Sequence, residues 1–197
     1  LPNSSLKPER SKTLEVAFFY KAASNLNLGL NIYRFTQTDI INLVTVTGLS
    51  KRQYQNTGEH TIRGIELEAQ WQATEDLRVS GNYTHREPDD NGFRTAQQPD
   101  EDAYLRADWR FLPGWNWNVQ ANWIGKRARK SGDSRPPVDD YAVTDSTVRY
   151  MSAKNWEFSG SVRNLFDEDA REYAGQSMPN DLPMPERSFY AEARYKF

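Results

Sequence analysis

The side chains in this sequence with the clearest chemical potential are cations. Arg127, Arg129, Lys130 and Arg135 crowd into one short stretch that ends at Pro136-Pro137. Grouped guanidinium and ammonium ions attract anions, so an anionic chelate or a phosphate group is the chemistry this stretch could serve. Arg52 and Tyr54 offer a second, smaller set within a polar connection over about 43–58. A run of basic residues is also the ordinary make-up of a solvated loop. Other chemistries are excluded or unsupported. His60 and His85 are the only histidines and lack ligand spacing, so no metal site is expected. No pair of carboxylates has an orienting partner of catalytic type. The acidic stretch with Glu87, Asp89, Asp90, Asp100, Glu101 and Asp102 lacks the ligand order of an EF-hand. There is no glycine-rich phosphate loop and no nucleophile elbow. Binding without catalysis or cofactor is the expectation.

The elements that must position these loops are strands. The clearest pattern is the stretch Arg187 to Phe197, where Phe189, Ala191, Ala193, Tyr195 and Phe197 alternate with Ser188, Tyr190, Glu192, Arg194 and Lys196. Such strict alternation predicts a strand with one apolar face. The same pattern predicts strands at about 12–22, from Leu26 onward, at about 59–72, from Leu77, at about 103–111, at about 115–123, at about 140–151, and from Trp156 to Arg163. The phase blurs at Tyr33-Arg34-Phe35, where a bulge is the expected cause. About nine strands result, with no helix. Connections alternate short (Ala23-Ser24-Asn25, Ala73 to Asp76, Leu112-Pro113-Gly114, Ser152 to Asn155) and long (about 43–58, the acidic stretch, the basic stretch, about 167–186).

Composition agrees once the alternation is taken into account. The chain has 197 residues, 37% hydrophobic and 13% aromatic, with six Trp, ten Tyr and no Cys. Its mean hydropathy is −0.86. No apolar run approaches a membrane helix, yet barrel strands expose apolar residues on one face only and keep the average low. The absence of cysteine removes disulfide, zinc-thiolate and thiol chemistry. A net charge of −2, with the cations spread along the chain, gives no nucleic-acid footprint. The amino-terminal residues carry no signal-peptide pattern. Tyr20, Trp71, Trp109, Phe111, Trp115, Trp117, Tyr150, Trp156, Tyr195 and Phe197 share the apolar phase near short turns or the chain end, as an interfacial aromatic girdle would.

The expected fold class is therefore all-β: an antiparallel, up-and-down transmembrane β-barrel, present in part. With short turns on the periplasmic side, the first and last strands both run toward that side. A complete even-stranded barrel would begin with a strand running the other way, so residues 1–197 are expected to form one incomplete domain. Two alternatives stand beside this. One is a smaller, complete porin-like channel. The other is a soluble β-sandwich that binds carbohydrate, with Trp117 and Trp123 buried. On the lumen phase, Glu66, Glu68, Arg106, Asp108, Arg110, Asp145, Arg149, Arg163 and Arg194 could contact a plug or pair with one another across the wall.

Several segments resemble those of TonB-dependent outer-membrane receptors. These are Leu6-Lys7-Pro8-Glu9-Arg10-Ser11 with Glu15, then Asn56-Thr57-Gly58 running into Arg63-Gly64-Ile65-Glu66-Leu67-Glu68, and Ser80-Gly81-Asn82-Tyr83-Thr84. Near the end come Val162-Arg163-Asn164-Leu165-Phe166-Asp167, Tyr173 and Arg187-Ser188-Phe189-Tyr190 to Phe197. Glu186 stands where glycine is more usual. The resemblance implies a plugged barrel of about 22 strands in the bacterial outer membrane, of which these would be roughly strands 14 to 22. It implies uptake of a scarce nutrient, most readily a ferric siderophore or similar metal chelate, energised through TonB. The plug and the TonB-contacting box would lie outside this chain. The implied partners are the plug and TonB complex, outer-membrane lipid and lipopolysaccharide, and the barrel assembly machinery, which would read Tyr195 and Phe197. The substrate contacts would fall in the outer loops at Arg52, Tyr54, Arg127, Arg129, Lys130 and Arg135.

Overall fold

The computed structural model describes residues 1–89, 98–130 and 132–197. Among these it contains strands and no helix. In chain order the strands are β1 (Arg10–Ala23), β2 (Leu26–Thr38), β3 (Ile41–Thr45), β4 (Arg52–Asn56), β5 (Glu59–Gln72), β6 (Leu77–Asp89), β7 (Glu101–Leu112), β8 (Trp115–Gly125), β9 (Tyr141–Met151), β10 (Trp156–Arg163), β11 (Arg171–Glu172), β12 (Leu182–Pro183) and β13 (Ser188–Tyr195). Nine of them form one antiparallel sheet in the order β1-β2-β5-β6-β7-β8-β9-β10-β13. Each strand pairs with its neighbour in the chain once the two small hairpins β3–β4 and β11–β12 are set aside. This is the up-and-down meander that short turns enforce. β1 and β13 each keep one unpaired edge among the described residues, so the sheet is open.

Register aligns the apolar phases of all nine strands on one face. One row of Cα partners runs Phe18, Leu30, Leu67, Tyr83, Ala103, Trp123, Ala142. Another runs Leu26, Trp71, Val79, Ala107, Val119, Ser146, Val162, Phe189. These side chains are not buried. Phe18 is 56% exposed, Leu105 58% and Phe189 73%. The buried apolar residues of the described chain, Val138, Tyr141, Ala170 and Ala174, lie outside this face or at its upper end. A single layer whose exposed face is apolar below the level of Arg34 has no sandwich core, and Trp117, 40% exposed, is not buried in one. Hydrocarbon is the environment that such a face fits.

The aromatic girdle forms where the alternation places it. Ring centroids lie 6.3 Å apart for Trp109–Trp117, 4.7 Å for Trp115–Tyr150, 5.0 Å for Trp156–Tyr195 and 5.2 Å for Tyr195–Phe197. Trp117 Nε1 donates to Ser146 Oγ at 2.9 Å, so its polar edge is satisfied within the wall. The turn below this belt needs Gly114, whose φ is +79° and where a Cβ would meet the Met151 carbonyl oxygen at 2.8 Å.

The structure departs from the sequence reading in four places, one of them the connection over about 167–186, which holds β11 paired with β12. No bulge occurs at Tyr33-Arg34-Phe35. The ladder passes through unbroken, with Tyr33 opposite Glu15 and Gly64, and the irregularity lies between Lys21 and Ala23 instead. The phase blurs because hydropathy, not register, changes there. Arg34 is outward at the upper limit of the apolar band, while the Tyr33 ring turns inward and lies over Gly64. A Cβ on Gly64 would sit 2.4 Å from Tyr33 Cζ. The connection over about 43–58 is no plain loop but holds β3 and β4, paired from Ile41–Asn56 to Thr45–Arg52. Within the acidic stretch, Glu87 and Asp89 belong to β6 and Glu101 and Asp102 open β7. Asp90 lies outside the described residues.

Two substitutions test this architecture. Leu105→Arg is expected to destabilise the protein in phospholipid vesicles by about 2–4 kcal/mol, the cost of a cation near mid-bilayer. A water-exposed leucine would tolerate the change within about 0.5 kcal/mol. Urea titration in vesicles distinguishes the two. Gly64→Ala is expected to cost about 1–3 kcal/mol through overlap with the Tyr33 ring. On a Tyr33→Ala background the same change should add little, which a double-mutant cycle measures.

Candidate functional site: the outer loops and the lumen wall

The long connections gather at one end of the sheet and are tied down by specific side chains. The lead-in to β1 runs beside the β3–β4 hairpin. Asn56 holds the two together: its Oδ1 accepts from Lys7 N at 2.8 Å, and its Nδ2 donates to Lys7 O at 2.8 Å and Asp39 O at 2.7 Å. Glu9 accepts from Ile41 N at 2.8 Å and Gln37 Nε2 at 3.2 Å. Gln53 Nε2 donates to Pro2 O and Asn3 Nδ2 to Tyr54 O. Two of the residues that carry the family resemblance, Glu9 and Asn56, therefore act as side-chain ties for backbone groups that strands leave unpaired. Arg52 and Tyr54 lie on β4. Both are exposed, Tyr54 at 54%, and Arg52 also donates to the Leu43 carbonyl at 3.2 Å.

The basic stretch is not a free cationic loop. Arg129 forks onto Asp181, with Nη1–Oδ1 at 2.9 Å and Nη2–Oδ2 at 2.5 Å. Arg135 holds Asp133 through Nη2–Oδ2 at 2.7 Å and also reaches the carbonyls of Ala174 at 2.7 Å and Met178 at 3.0 Å. Arg127 is 2% exposed. It donates to the carbonyls of Arg171 and Asp139, lies 3.6 Å from Glu172, and stands 4.7 Å above the Tyr141 ring. Tyr141 in turn donates to Glu172 at 2.6 Å. Three guanidinium groups thus bolt the connection after β8 to the connection that contains β11 and β12. Val138, Ala170 and Ala174 are buried in this same region. Lys130 stays exposed. The six loop residues singled out from the sequence therefore divide into two kinds: Arg52, Tyr54 and Lys130 face solvent, while Arg127, Arg129 and Arg135 are neutralised from within.

The clamp is electrostatically stiff. The Arg129 fork, aided by the Ala174 backbone N–H, holds the Asp181 carboxyl down at about 2. Asp133 is likewise lowered, chiefly by Arg135, and Arg129 is raised, chiefly by Asp181. A depressed carboxyl stabilises above the ordinary carboxylate range and ceases to do so as pH falls through its folded value. The clamp should therefore hold at mildly acid pH and open only as pH approaches 2.

The turn that returns the chain to β13 has its own ties. Asn164 is 3% exposed and has φ near +51°, a left-handed conformation that asparagine tolerates. Its amide bridges both sides of the loop: Oδ1 accepts from Glu168 N at 2.8 Å, and Nδ2 donates to Glu168 O at 2.9 Å and to Pro185 O at 3.4 Å. Asp167 accepts from Arg187 N at 2.9 Å and Nη2 at 3.0 Å. Sequence reasoning marked these residues by resemblance alone. Their role in closing the loop depends on partners far along the chain.

On the lumen face the charges pair with one another. Arg163 meets Asp145 at 2.7 Å, Arg149 meets Glu157 at 2.9 Å, and Arg106 meets Asp108 at 2.8 Å along one strand. Arg110 lies 3.4 Å from Asp76, Arg194 lies 2.8 Å from Glu192, and Glu66 accepts from Asn31 at 3.2 Å. Pairing along and between strands, and with the Asp76 turn, neutralises most of these charges. His85 lies on the outward face, with Nδ1 3.1 Å from Glu101, which also accepts from Lys126 Nζ at 2.6 Å. It does not point toward the lumen. Among the described residues no cluster of three or more His, Asp or Glu is placed to hold a metal.

Comparison with known proteins gives this geometry a lineage. A family model described as "TonB dependent receptor-like, beta-barrel" matches residues 1–165. The chain is 26% identical to the vitamin B12 transporter BtuB of Vibrio cholerae over 99% of its own length and 31% of that protein's. It is 31% identical to the metal-pseudopaline receptor CntO of Pseudomonas aeruginosa over 71% of its own length and 21% of that protein's. The fold also matches the ferric-catecholate import receptor Fiu of E. coli K12, with a TM-score of 0.80, 22% identity, and coverage of 99% of this chain and 29% of that one. The chain thus spans less than a third of the length of these relatives. Their kinship and the one-sided, lipid-compatible sheet agree: the chain belongs to the β-barrel family of TonB-dependent receptors, proteins of the bacterial outer membrane.

Proposed function

We propose that this chain supplies the carboxy-terminal wall and outer loops of an active-transport receptor, one that takes up a scarce nutrient with energy delivered through TonB. The substrate class we assign is a ferric siderophore or a similar metal chelate. The observation that carries this reading is the relationship to a protein named as a metal-pseudopaline receptor, at 31% identity across most of the chain. A receptor named for ferrioxamine supports it further, at 28% identity over 73% of the chain. Cobalamin is the second reading, because the vitamin B12 transporters match over nearly the whole length. In either case the protein binds and moves its ligand and performs no covalent chemistry.

In this reading the open edges of β1 and β13 are completed by the rest of the barrel, and a plug fills the lumen against the charge-paired wall. The loop assembly bolted by Arg127, Arg129 and Arg135 forms a rigid part of the vestibule. Arg52, Tyr54 and Lys130 remain free to meet an incoming anionic chelate. The aromatic strand that ends in Tyr195 and Phe197 serves recognition by the barrel assembly machinery, and lipopolysaccharide packs around the outer face.

The experiment is ligand binding and uptake by the full-length receptor, using ferric siderophores and cobalamin side by side. Arg52→Glu with Tyr54→Ala is expected to weaken chelate binding roughly tenfold, the worth of one lost charge-assisted contact. Unchanged binding would remove β4 from the site, and uptake of cobalamin alone would select the second reading. Asp181→Asn is expected to raise amide exchange in both clamped connections at pH 7. The unmodified protein should stay protected at pH 5 and lose that protection only below about pH 3, given a carboxyl held at about 2.

A further inference from the structure

Among the described residues most arginines have a carboxylate partner. Arg86, Arg106, Arg127, Arg129, Arg149 and Arg163 are representative of the paired ones. Arg34 and Arg63 break the habit in an unfavourable place. They are direct Cα partners across the β2–β5 ladder, both exposed, and both on the outward face. Like charges set opposite each other on a sheet repel. Among the described residues neither has an ion-pair partner. The nearest candidate, Glu87 opposite Arg63, instead lies 3.6 Å from His85 Nε2. Lys12 stands on the same face of β1, one outward step above Leu14, the Cα partner of Arg34. It too lacks an ion-pair partner.

Height identifies what these cations face. The outward residues of β2 climb from Leu26, beside Trp71 of the girdle, through Leu28, Leu30 and Ile32 to Arg34. At about 3.4 Å per residue and a tilt of about 40°, that climb rises roughly 20 Å. The apolar band of such barrels is about 25 Å tall, so Arg34 and Arg63 reach the headgroup level of the outer leaflet. Directly beneath them, Leu14, Val16, Ile32 and Ile65 wall a groove of about 390 Å³, whose lining also includes His85 and Glu87. Below that, on the same face, a wider depression of about 760 Å³ lies between Phe18 and Trp123, floored by small residues such as Ala69 and Gly81. Paired cations stand over an apolar trough, and the trough opens toward mid-bilayer.

We propose that Arg34 and Arg63, with Lys12, bind the phosphate of a phosphorylated glycolipid of the outer leaflet, whose acyl chains occupy the grooves below. The phosphate relieves the repulsion between the two arginines. The groove gives the lipid an advantage over a soluble anion of equal charge. This rests on the barrel's membrane setting and is independent of which nutrient is transported.

The test uses the full-length receptor in phosphatidylcholine nanodiscs doped with bis-phosphorylated lipid A, with the glycolipid retained per receptor as readout. Arg34→Gln with Arg63→Gln is expected to lower retention about tenfold or more, and Arg34→Lys with Arg63→Lys to preserve most of it. Dephosphorylated lipid A should be retained as poorly by the unmodified receptor as lipid A is by the double variant. Millimolar inorganic phosphate should not compete. Arg78→Gln, a single charge loss on the lumen face, should leave retention unchanged. Equal retention by the double glutamine variant overturns the proposal. So does an equal loss with Arg78→Gln, and so does effective competition by free phosphate, which would make this an anion site and not a lipid site. The heat-dependent gel mobility of the folded barrel, measured in parallel, must be intact in every variant compared. Nutrient uptake by the double variant separates this proposal from the transport assignment, since uptake is expected to persist when lipid retention is lost.

Discussion

Hydrocarbon offers no hydrogen bonds, and that constraint shapes this protein from the strands upward. A backbone amide or carbonyl facing lipid without a partner costs several kcal/mol. The nine-stranded sheet answers with ladders that run from turn to loop and slip register only beside short turns, between Lys21 and Ala23 and between Trp109 and Leu112. Long strands, short turns and the one-sided sheet all follow. So does the low mean hydropathy, because each lipid-facing side chain is matched by a lumen-facing polar one. The hydrophobic residues look misplaced only if water is the assumed solvent.

The second organising principle is local neutralisation. On the lumen face, ions pair along and between strands, and in the loops three arginines are spent on carboxylates and carbonyls. Bidentate contacts such as Arg129 on Asp181 add geometric restraint as well as attraction. A cation-rich stretch thereby becomes part of the scaffold. Against this background cations that stay exposed and without a carboxylate, among them Arg52 and Lys130 on the loops and Lys12, Arg34 and Arg63 on the outer wall, have attraction left for something other than this chain.

Much of the sheet could be read directly from the residues. Period-two alternation is a local property, so Trp115 to Trp123 and Phe189 to Phe197 declare their faces without reference to anything distant. Glu59–Gln72 falls at the bounds its pattern indicated. Where polarity changed at the membrane boundary, as at Arg34, the same logic mistook a change of solvent for a change of register. The loops were less legible for a different reason. Asp181 is far from Arg129 in sequence, and neither residue type announces its partner. The β3–β4 hairpin is short, Leu43-Val44 interrupts the alternation in β3 and β4 is almost wholly polar, so the pattern had little contrast to work with. Asn56, Asn164 and Glu9 do their work through side-chain bonds to distant backbone, which composition does not encode. The basic stretch could be identified as cationic, but whether its charge was free or consumed required the fold.

The loop assembly has a further consequence for how such a protein changes over generations. Its two outer connections are held by ion pairs shared between them and by a small buried patch around Ala170 and Ala174. A substitution at Arg129 or Arg135 strands a carboxylate or a carbonyl in the other connection, and the reverse holds for Asp181. Insertions and exchanges that reshape one connection are therefore tolerated chiefly when the other is reshaped with it. The pair behaves as a single heritable cassette, while the β3–β4 hairpin, anchored separately by Asn56 and Glu9, is free to drift on its own.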